Sequence, residues 1–391
     1  MRDDGSVNGR RGAAEPGTSP PEARGNGAAA GRTAAAREGA SAPDPTGAAC
    51  PLPLEDYPRV VMAHGGGGKL SRDLVNDLFL EALGNPLLDP LHDGAVMDVP
   101  AGRLAFTTDS FVVDPPFFPG GDIGSLAVHG TVNDLAMCGA RPLALSAGFI
   151  LEEGFPTDRL WRAARSMGEA AERAGVAVAT GDTKVVDRGK GDGIYVNTAG
   201  IGVVPEGVSI SPRRVRAGDA VLVSGPIADH GIAVMSVREG LEFETEILSD
   251  SAPLNGLAAG LLEELGGAVH VLRDPTRGGV ASALNEIAAD AGAGIRLEET
   301  AIPVREQVRA ACEILGLDPL YVANEGKMLA VVDGEVAEQA LELLRDHPAG
   351  REAARVGTVV EDHPGRVFQR SGLGGLRVVE MLSGEQLPRI C

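Results

Sequence analysis

The stretch LWRAARSMGEAAERAGVAVATGD, residues 160–182, decides the fold because a helical pattern runs directly into a strand pattern. Apolar residues recur from Leu160 to Ala171 at the spacing of one helical face. The short aliphatic run Val176–Thr180 has the length and composition of a buried strand, and it leads into a Gly-Asp pair. A helix that feeds a strand in this way predicts a mixed α/β protein.

The same alternation extends in both directions from this stretch. Leu104–Thr108 is a predicted strand before it, and Ile194–Gly202 is a predicted strand after it. A second series comprises predicted strands at 220–224, 269–272, 328–332 and 355–359, and predicted helices at 232–238, 254–265, after 278, at 305–315 and at 336–344. The chain is therefore predicted to hold two mixed α/β domains, 57–207 and 208–376.

Composition excludes several classes of protein. Lys and Arg number 35 against 55 Asp and Glu, and the resulting net charge of −20 repels nucleic-acid phosphates and anionic membranes. No apolar run approaches the ~18–20 residues that a membrane-spanning helix needs. Four widely separated cysteines without a C-x-x-C pair exclude a disulfide scaffold and a zinc ribbon. We therefore expect a cytoplasmic protein that binds neither nucleic acid nor membrane.

The two ends of the chain differ from these domains. Residues 1–56 are rich in Gly, Ala, Pro, Ser and Arg without aliphatic periodicity, and the six acidic and six basic residues up to Cys50 cancel. Such a segment cannot bury enough apolar surface to offset its ordering entropy, so we predict a disordered extension. At the other end Gly384 and Pro388 interrupt the pattern, and 377–391 is predicted to be a mobile tail.

Lysine is scarce, and three of its four occurrences lie in Gly-rich or acidic turns. Lys69 ends HGGGGK, Lys184 ends GDTK and Lys327 ends NEGK. Because an ammonium group changes its protonation more readily than a guanidinium, these positions are candidates for function, with chance retention of lysine as the alternative. The glycine run is not a Walker A loop, since Ala63 and Leu70 stand where that pattern requires Gly and Ser or Thr. By itself the run indicates either a phosphate-binding loop or a mobile loop.

Acidic residues and paired arginines are further candidates. Carboxylates at turns and after strands suit Mg²⁺, which takes one or two carboxylates together with nucleotide phosphates, although Asp also caps turns. The candidates are Asp93, Asp98, Asp109 after its strand, Asp134 and Asp182. The stretch RDPTRGG, residues 273–279, sets two guanidinium groups beside a predicted helix N-terminus. It is either an anion site or a simple turn with surface arginines.

The cysteines fall into different contexts. Cys391 is the last residue, and a thiol on a chain end can enter a pocket that an internal cysteine cannot reach. Cys138 and Cys312 lie in apolar helical contexts and are predicted to be core residues.

Ten stretches, in order along residues 60–391, together resemble the HypE family of hydrogenase maturation proteins, within the PurM-like (aminoimidazole ribonucleotide synthetase) superfamily. They are AHGGGGK, TTDSFVVDPPFFPGG, TVNDLA, GFILEEG, TGDTKVV, NTAGIG, LVSGPIADHG, RDPTRGGV, NEGK and the terminal PRIC. Each stretch alone is a weak signal, whereas the ordered set with its terminal cysteine is specific.

The resemblance implies a PurM-like two-domain fold, in which the N-terminal halves pair through a dimeric β-barrel and are followed by a C-terminal α/β sandwich and a flexible tail. It implies that a carbamoyltransferase, HypF, places a carbamoyl group on the Cys391 thiol. ATP and Mg²⁺ are then used to dehydrate that group to a thiocyanate. The thiocyanate supplies cyanide ligands for the iron of NiFe-hydrogenase through a HypC–HypD complex. Chemically, phosphorylation makes the amide oxygen a leaving group, and bases remove two N–H protons.

The resemblance also assigns roles to residues. The implied catalytic residues are Cys391, Glu325 and Lys184, with Glu325 as the base beside Lys184. The implied metal ligands are Asp93, Asp109, Asp134 and Asp182. The implied nucleotide ligands are His64, Gly65, Gly66, Gly67, Gly68, Lys69, Asp109, Asp134, Asp182 and Thr183. His230 in the DHG stretch is a further candidate, although a lone histidine is more often structural.

Two other functions are compatible with the residues. A PurM-like kinase or synthetase that acts on a free small molecule would share the fold but would not need the terminal PRIC. A non-catalytic scaffold, in which nucleotide gates the tail for partner docking, would not need Glu325 and Lys184. Turnover separates these alternatives from the dehydratase.

Overall fold

A computed structural model describes residues 57–91, 94–241, 246–383, 387 and 389–391. The extension predicted for residues 1–56 and the predicted metal ligand Asp93 lie outside the described residues.

The N-terminal half is built on a four-stranded sheet. Its strands and helices are α1 (Lys69–Leu74), α2 (Leu80–Leu83), β1 (Arg103–Phe111), β2 (Phe117–Phe118), β3 (Gly121–Asp122), α3 (Ile123–Met137), β4 (Arg141–Glu152), α4 (Thr157–Ala174), β5 (Ala177–Val186) and β6 (Ile194–Val204). The strand order is β1-β6-β4-β5, in which only β4 and β5 run parallel. The edges of the sheet are therefore β1 and β5.

Two strands of this sheet are longer than the sequence predicts. The prediction that Asp109 follows its strand is wrong, because β1 stays paired with β6 as far as Phe111. In the same way β5 stays paired with β4 through Asp182 and Lys184. Ladder hydrogen bonds to a central neighbour outweigh the low strand propensity of Asp and Gly. As a result Asp109 and Asp182 lie on paired strands instead of in turns.

Helix α4 follows the predicted pattern. The apolar positions from Leu160 to Ala171 are buried, and the helix ends at Gly175, whose φ of +69° provides a left-handed C-terminal cap. At 18 residues it carries charged side chains on its outer face. Within the part of the chain that the structure describes, no helix is both long and apolar enough to cross a bilayer.

Helix α3 is buried along its length and carries the candidate residue Asp134. Asp122 caps it by accepting hydrogen bonds from the backbone N–H groups of Gly124 (2.8 Å) and Ser125 (3.0 Å). A Cβ on Gly124 would lie 1.9 Å from the carbonyl oxygen of Ala163, so only glycine allows α3 to approach α4 this closely. Of its 15 residues, only Asp134 is not fully buried.

The C-terminal half is a sheet covered on both faces. Its strands and helices are β7 (Ala220–Val223), α5 (Asp229–Arg238), α6 (Asn255–Leu265), β8 (Val269–Arg273), α7 (Gly279–Ala291), β9 (Gly294–Glu298), α8 (Glu306–Leu315), β10 (Leu329–Val332), α9 (Ala337–Asp346), β11 (Ala354–Val360), β12 (Val367–Arg370) and β13 (Leu376–Val379). The order is β13-β12-β9-β11-β7-β10-β8. On β7, Val221 and Val223 pack with α7, while Ala220 and Leu222 pack with α6 and α9. The expected mixed α/β fold is confirmed.

The last strand corrects one predicted boundary. Residues 377–379 belong to β13 and pair with β12, so the sheet extends into the segment that was predicted to be tail. The register Val367↔Val379 buries Val379 against the core, which accounts for the extension.

Candidate active site

The predicted site residues lie in two places at opposite edges of the four-stranded sheet. Asp109 on β1 and Gly181 on β5 belong to one cross-strand row that runs through Thr198 and Ala147. Three interstrand spacings, roughly 14 Å, separate the ends of that row. We term the region beside Asp109 the tail site, which is formed by Cys391, Glu325, Asp109, Asp134, Asp274 and Arg277. We term the region beside Gly181 the glycine-loop cavity, which is formed by residues 64–69 and 182–184.

The end of the chain is docked in the tail site by its backbone. The N–H of Val112 donates to a carboxylate oxygen of the last residue, Cys391, and the N–H of Asp114 donates to the carbonyl oxygen of Arg389, each at 3.2 Å. The Ile390 side chain is 3% exposed and packs in the same apolar cluster as Phe111. Burying an isoleucine side chain stabilises by about 1.5–3 kcal/mol, so the last three residues are held as part of the fold.

Arg389 supplies the polar half of this docking. Its Nη1 lies 3.0 Å from Asp192 Oδ2 and 3.8 Å from Asp114 Oδ2, and its Nε donates to the Val112 carbonyl oxygen at 3.1 Å. The residue adopts φ +53°, a left-handed conformation that costs about 1–3 kcal/mol for a side chain of this kind. The side-chain contacts and the burial of Ile390 offset that cost.

Glu325 is buried beside the docked thiol. Glu325 is only 3% exposed, and its backbone N–H donates to Asp250 Oδ1 at 3.0 Å. Lys327 Nζ lies 3.3 Å from the other Asp250 oxygen, and Asn133 Nδ2 donates to the Glu325 carbonyl oxygen at 3.3 Å. Burial raises the pKa of the Glu325 carboxyl well above its ordinary value, and the acids Asp274 and Asp109 raise it further.

The Cys391 thiol is held in its neutral form. Burial raises its pKa, the neighbouring Glu325 carboxylate raises it further, and the guanidinium of Arg277 opposes both effects. Because the thiolate is the nucleophile, the docked thiol is a poor acceptor for group transfer. The docked tail is therefore arranged for chemistry on a group that the sulfur already carries.

Three further acids crowd the same region. The hydroxyl of Thr107 donates to Asp134 Oδ2 at 2.8 Å, and an Arg277 Nη lies 4.0 Å from Asp109 Oδ1. Burial raises the pKa of Asp109, Asp134 and Asp274, that of Asp274 to about 7. The charge of Asp134 raises the pKa of both Asp109 and Asp274 further. Among the described residues, no group of three or more His, Cys, Asp or Glu side chains could hold a metal ion by itself.

The glycine-loop cavity is open by comparison. It has a volume of about 250 Å³ and is lined by His64, Gly65, Gly67 and residues of β5, together with apolar side chains such as Phe79 and Leu83. A Cβ on Gly65 would lie 2.5 Å from the backbone nitrogen of Val185, so glycine is required where the loop crosses β5. Lys184 Nζ binds Asp182 Oδ1 at 2.9 Å, and the two side chains are 63% and 69% exposed.

His64 points an unused donor at this cavity. The backbone N–H of Val61 donates to His64 Nδ1 at 3.1 Å, so in the neutral ring the proton sits on Nε2. That Nε2 is buried and has no hydrogen-bond partner within the described residues. Burial lowers the pKa of the ring, which keeps it neutral. The loop thus presents an N–H donor beside its glycines.

The predicted neighbours Lys184 and Glu325 occupy different regions within one copy of the chain. Lys184 lies on the β5 edge beside Asp182, whereas Glu325 lies in the tail site on the β1 side. The predicted acids divide in the same way, with Asp109 and Asp134 in the tail site and Asp182 in the glycine-loop cavity. Within one copy of the chain, neither region therefore contains all of the predicted site residues.

Three residues of the tail site were missed or left open by the sequence. Asp274 lies in RDPTRGG, where the sequence marks only the two arginines as candidates. Asn133 precedes the candidate Asp134 in TVNDLA. His230 contacts the Ile390 carbonyl oxygen at 2.9 Å, a contact that no local pattern predicts.

The predicted environment of one cysteine is wrong. Cys138 is exposed, because it caps the C-terminus of α3 where that helix leaves the core, whereas Cys312 is buried as expected.

Two family models match the chain in sequence order. The model of the AIR synthase related protein, N-terminal domain, matches residues 91–204, and the model of the C-terminal domain matches residues 216–369. Between them they span the four-stranded sheet and most of the seven-stranded sheet. The fold and the site therefore define a protein of the AIR synthase related class.

Curated relatives and solved structures narrow this class. Carbamoyl dehydratase HypE of Azotobacter vinelandii is 57% identical over 332 residues, which is 85% of this chain and 97% of the relative. A crystal structure of hydrogenase maturation protein HypE in complex with ATP is 52% identical with a TM-score of 0.82, over 85% of this chain and 99% of that chain. A chain in a HypE–HypF complex is 49% identical with a TM-score of 0.70, over 79% of this chain and 99% of that chain. The chain belongs to the HypE family.

Proposed function

We propose that the chain is an ATP-dependent carbamoyl dehydratase that converts the S-carbamoyl group on its own Cys391 to a thiocyanate for hydrogenase maturation. The observation that carries this proposal is the docked tail, which sets the Cys391 thiol beside the buried carboxyl of Glu325. A cavity of about 290 Å³ adjoins the thiol and is lined in part by Ser110, Arg277 and Tyr321. It gives a carbamoyl group room to project from the sulfur.

Glu325 is suited to remove an amide proton. Transfer of a phosphoryl group from ATP makes the carbamoyl oxygen a leaving group, since oxide itself leaves poorly. One N–H proton leaves to water as the oxygen is phosphorylated and the C=N bond forms. As the C–O bond breaks and phosphate departs, Glu325 accepts the second proton and the N–H electron pair completes the C≡N bond. A carboxyl with a raised pKa is a stronger base when ionised, and the buried position of Glu325 provides this.

Arg277 is suited to bind the departing phosphate. Its guanidinium side chain is 77% exposed, faces Asp109 at 4.0 Å and lines the cavity that contains Cys391. The acids of the tail site would repel a phosphate that forms there, and Arg277, with Arg389 at the same cavity, opposes that repulsion. A guanidinium binds phosphate through paired hydrogen bonds, so Arg277 supplies the anion site that RDPTRGG suggested.

The acids of the tail site fit a divalent cation. Burial raises the pKa of Asp109, Asp134 and Asp274, and neighbouring acids raise that of Asp109 and Asp274 further, so a cation would relieve the cost of ionising these carboxyls. Mg²⁺ bound there would neutralise phosphate charge, with Asp109 and Asp134 as its protein ligands. Asp93 and Asp182 remain proposed ligands of the same nucleotide.

The glycine-loop cavity fits the phosphates of a nucleotide. The Nε2–H of His64 has no partner among the described residues and is the proposed donor for a phosphate oxygen, since the backbone N–H groups of Gly66 and Gly67 already donate to the Ala63 carbonyl oxygen and the Ser71 hydroxyl. Lys69, Thr183 and Lys184 add positive charge or hydroxyl groups at the rim. A nucleotide bound there must still reach the tail site across the sheet.

A homodimer would bring the two regions together. The outer face of the four-stranded sheet exposes Phe106 (69%), Leu104 (61%) and Ile150 (44%), an apolar surface that a second copy can bury. Pairing of two such sheets face to face sets the β5 edge of one copy near the β1 edge of the other. The partner subunit's Lys184 would then lie beside Glu325, as the resemblance implies.

The tail must also serve other proteins. A solved relative is a HypE–HypF complex, and we propose that HypF carbamoylates Cys391 of this chain after the tail leaves its site. The neutral, buried thiol described above requires that departure. A HypC–HypD complex is the proposed recipient of the cyanide.

Intact-mass analysis of Cys391 tests the function. After incubation with a HypF carbamoyltransferase and carbamoyl phosphate, an adduct of about 43 Da should appear, and ATP with Mg²⁺ should reduce it to about 25 Da as one water is lost. A non-hydrolysable ATP analogue should leave the larger adduct unchanged. An adduct that never loses water with ATP would support the scaffold alternative. Phosphorylation of a free small molecule without any Cys391 adduct would support the kinase alternative.

A further inference from the structure

The carbonyl group that precedes the terminal cysteine is held by a buried histidine. His230 is 0% exposed at the start of α5, and its Nε2 lies 2.9 Å from the Ile390 carbonyl oxygen. Resting on the proposed function, we infer that His230 is a positioning residue for dehydration, because its N–H fixes the tail in the register that sets the Cys391 thiol beside Glu325.

The donor role of His230 follows from its two partners. A carbonyl oxygen only accepts hydrogen bonds, so Nε2 carries the proton. The neutral ring then leaves Nδ1 as an acceptor, and the Ser249 hydroxyl donates to it at 2.8 Å. Ser249 is itself fixed, since its backbone N–H donates to the Pro119 carbonyl oxygen at 2.8 Å. The Ile390 carbonyl therefore selects the tautomer, and the Ser249 hydroxyl satisfies the ring nitrogen that remains.

The ring is also fixed in orientation. Phe118 packs edge-on against His230 with 5.4 Å between the ring centroids. Burial lowers the pKa of His230, so the ring stays neutral and adds no charge beside the thiol. The contact to Ile390 is consequently a plain hydrogen bond in a site from which water is excluded.

Two hydrogen bonds together restrict the cysteine. His230 holds the peptide carbonyl before the Cys391 Cα, and the N–H of Val112 holds a carboxylate oxygen after it at 3.2 Å. Because the Ile390–Cys391 peptide unit is planar and the carboxylate is held on the other side of the Cα, the thiol is left mainly the rotation about its Cα–Cβ bond. A tail without the His230 contact keeps the Ile390 side chain buried but can slide or twist at its last residue.

Thiol alkylation tests this inference without any turnover. Removal of the donor in His230→Leu leaves a buried carbonyl unsatisfied, which should reduce the docked fraction and speed Cys391 alkylation about tenfold, or about 1.4 kcal/mol. Exposed Cys138 is the internal reference for each protein, with sites resolved by peptide mapping. His230→Gln keeps an N–H donor and should stay within about threefold of the wild-type rate. Ser249→Ala removes the partner of Nδ1, which loosens the ring but keeps its Nε2–H, and should fall between the two variants.

A second buried histidine provides the matched control. His129 is 3% exposed and its Nδ1 contacts the Ser251 hydroxyl at 2.9 Å, as His230 contacts Ser249, but its partner is not the tail. His129→Leu should therefore leave Cys391 alkylation unchanged. Equal acceleration in His129→Leu and His230→Leu, or no acceleration in His230→Leu, would overturn the inference.

A single-turnover measurement links the contact to the reaction. With protein that is already carbamoylated, His230→Leu should lose water about tenfold more slowly than wild type, and His230→Gln should recover most of the rate. Carbamoylation by HypF, which uses the undocked tail, should not slow. Faster alkylation with an unchanged rate of water loss would refute the positioning role, whereas loss of all turnover in wild type would refute the proposed function alone.

Discussion

The tail site and the glycine-loop cavity both hold charged candidate residues, but those of the tail site are buried and bound whereas those of the glycine-loop cavity are exposed. In the tail site Glu325 is 3% exposed, its backbone is bound on both sides, and the substrate thiol is already in place. In the glycine-loop cavity Lys184 and Asp182 are 63% and 69% exposed and bind each other. On the proposed function, a single copy completes the region that holds the thiol and leaves open the cavity proposed to take the nucleotide. This difference is expected when a nucleotide and a second copy complete the site.

Loss of the acceptor should have the largest effect and should spare the glycine-loop cavity. Cys391→Ala removes the substrate thiol, so carbamoylation and thiocyanate formation should both be abolished. Nucleotide affinity, measured by calorimetry, should match that of wild type because the thiol lies outside the glycine-loop cavity. An adduct elsewhere on the Cys391→Ala chain that dehydrates at the wild-type rate would contradict the assignment.

Loss of the base should stop the reaction one step later. Glu325→Gln should accept the carbamoyl group but retain the adduct of about 43 Da, with water loss slowed by at least about 100-fold. Glu313→Gln, at an exposed position on α8, is the control and should behave as wild type. If Glu325→Gln loses water normally, the base lies elsewhere and Lys184 is the first alternative.

The pH dependence of wild type sharpens the same prediction. A general base must be ionised, so single-turnover dehydration should rise with pH through the raised pKa of Glu325, above the ordinary carboxyl value of 4.5. A rate that is already constant above pH 5 would show that Glu325 titrates as an ordinary carboxyl.

Crowded acids should make the tail site a cost to stability. The pKa of Asp274 is raised from 3.8 to about 7, so between these two pH values the folded state binds a proton that the unfolded state does not. Stability then falls as pH rises through that window, and Asp274→Asn escapes the loss. The variant should gain on the order of 1 kcal/mol over wild type at pH 8, and less at pH 5, as read from Tm. Exposed Asp158→Asn is the control, and a gain that does not grow with pH would contradict the charge crowding.

Removal of residues 1–56 should have the smallest effect. The acidic and basic residues up to Cys50 cancel and the segment lacks an apolar pattern, so both regions of the site should work without it. The truncated protein should keep its Tm and its rate of ATP turnover. A Tm lower by several degrees would show that the segment packs on the domains.

Some elements could be predicted from the sequence because they are half-buried. Helix α4 shows one apolar face, and its period is visible in the letters. Helix α3 shows no such face, since 14 of its 15 residues are buried. Its Gly, Thr and His residues also have low helix propensity, so composition does not predict a helix there. Burial on all sides removes the pattern on which such a prediction depends.

The site was predictable as a set of motifs but not as an arrangement. Each stretch marks a residue type at a turn or strand, yet the strand order β1-β6-β4-β5 decides that Asp109 and Asp182 lie at opposite edges. The contact between His230 and Ile390 joins positions 160 residues apart, and it depends on the register of the docked tail. Long-range pairing of this kind leaves no local signal.

The central claim is that the two regions form one site, shared between two copies. Differently tagged chains allow purification of a dimer that combines Lys184→Ala with Glu325→Gln. One shared site of the two is then intact, so dehydration should proceed at about half the wild-type rate. By mass, the thiocyanate should form on Cys391 of the Lys184→Ala chain alone, and a dimer of wild type with the double variant should be inactive. The opposite pattern, an inactive mixed dimer and an active wild-type chain beside the double variant, would show that each copy works by itself and would contradict the account.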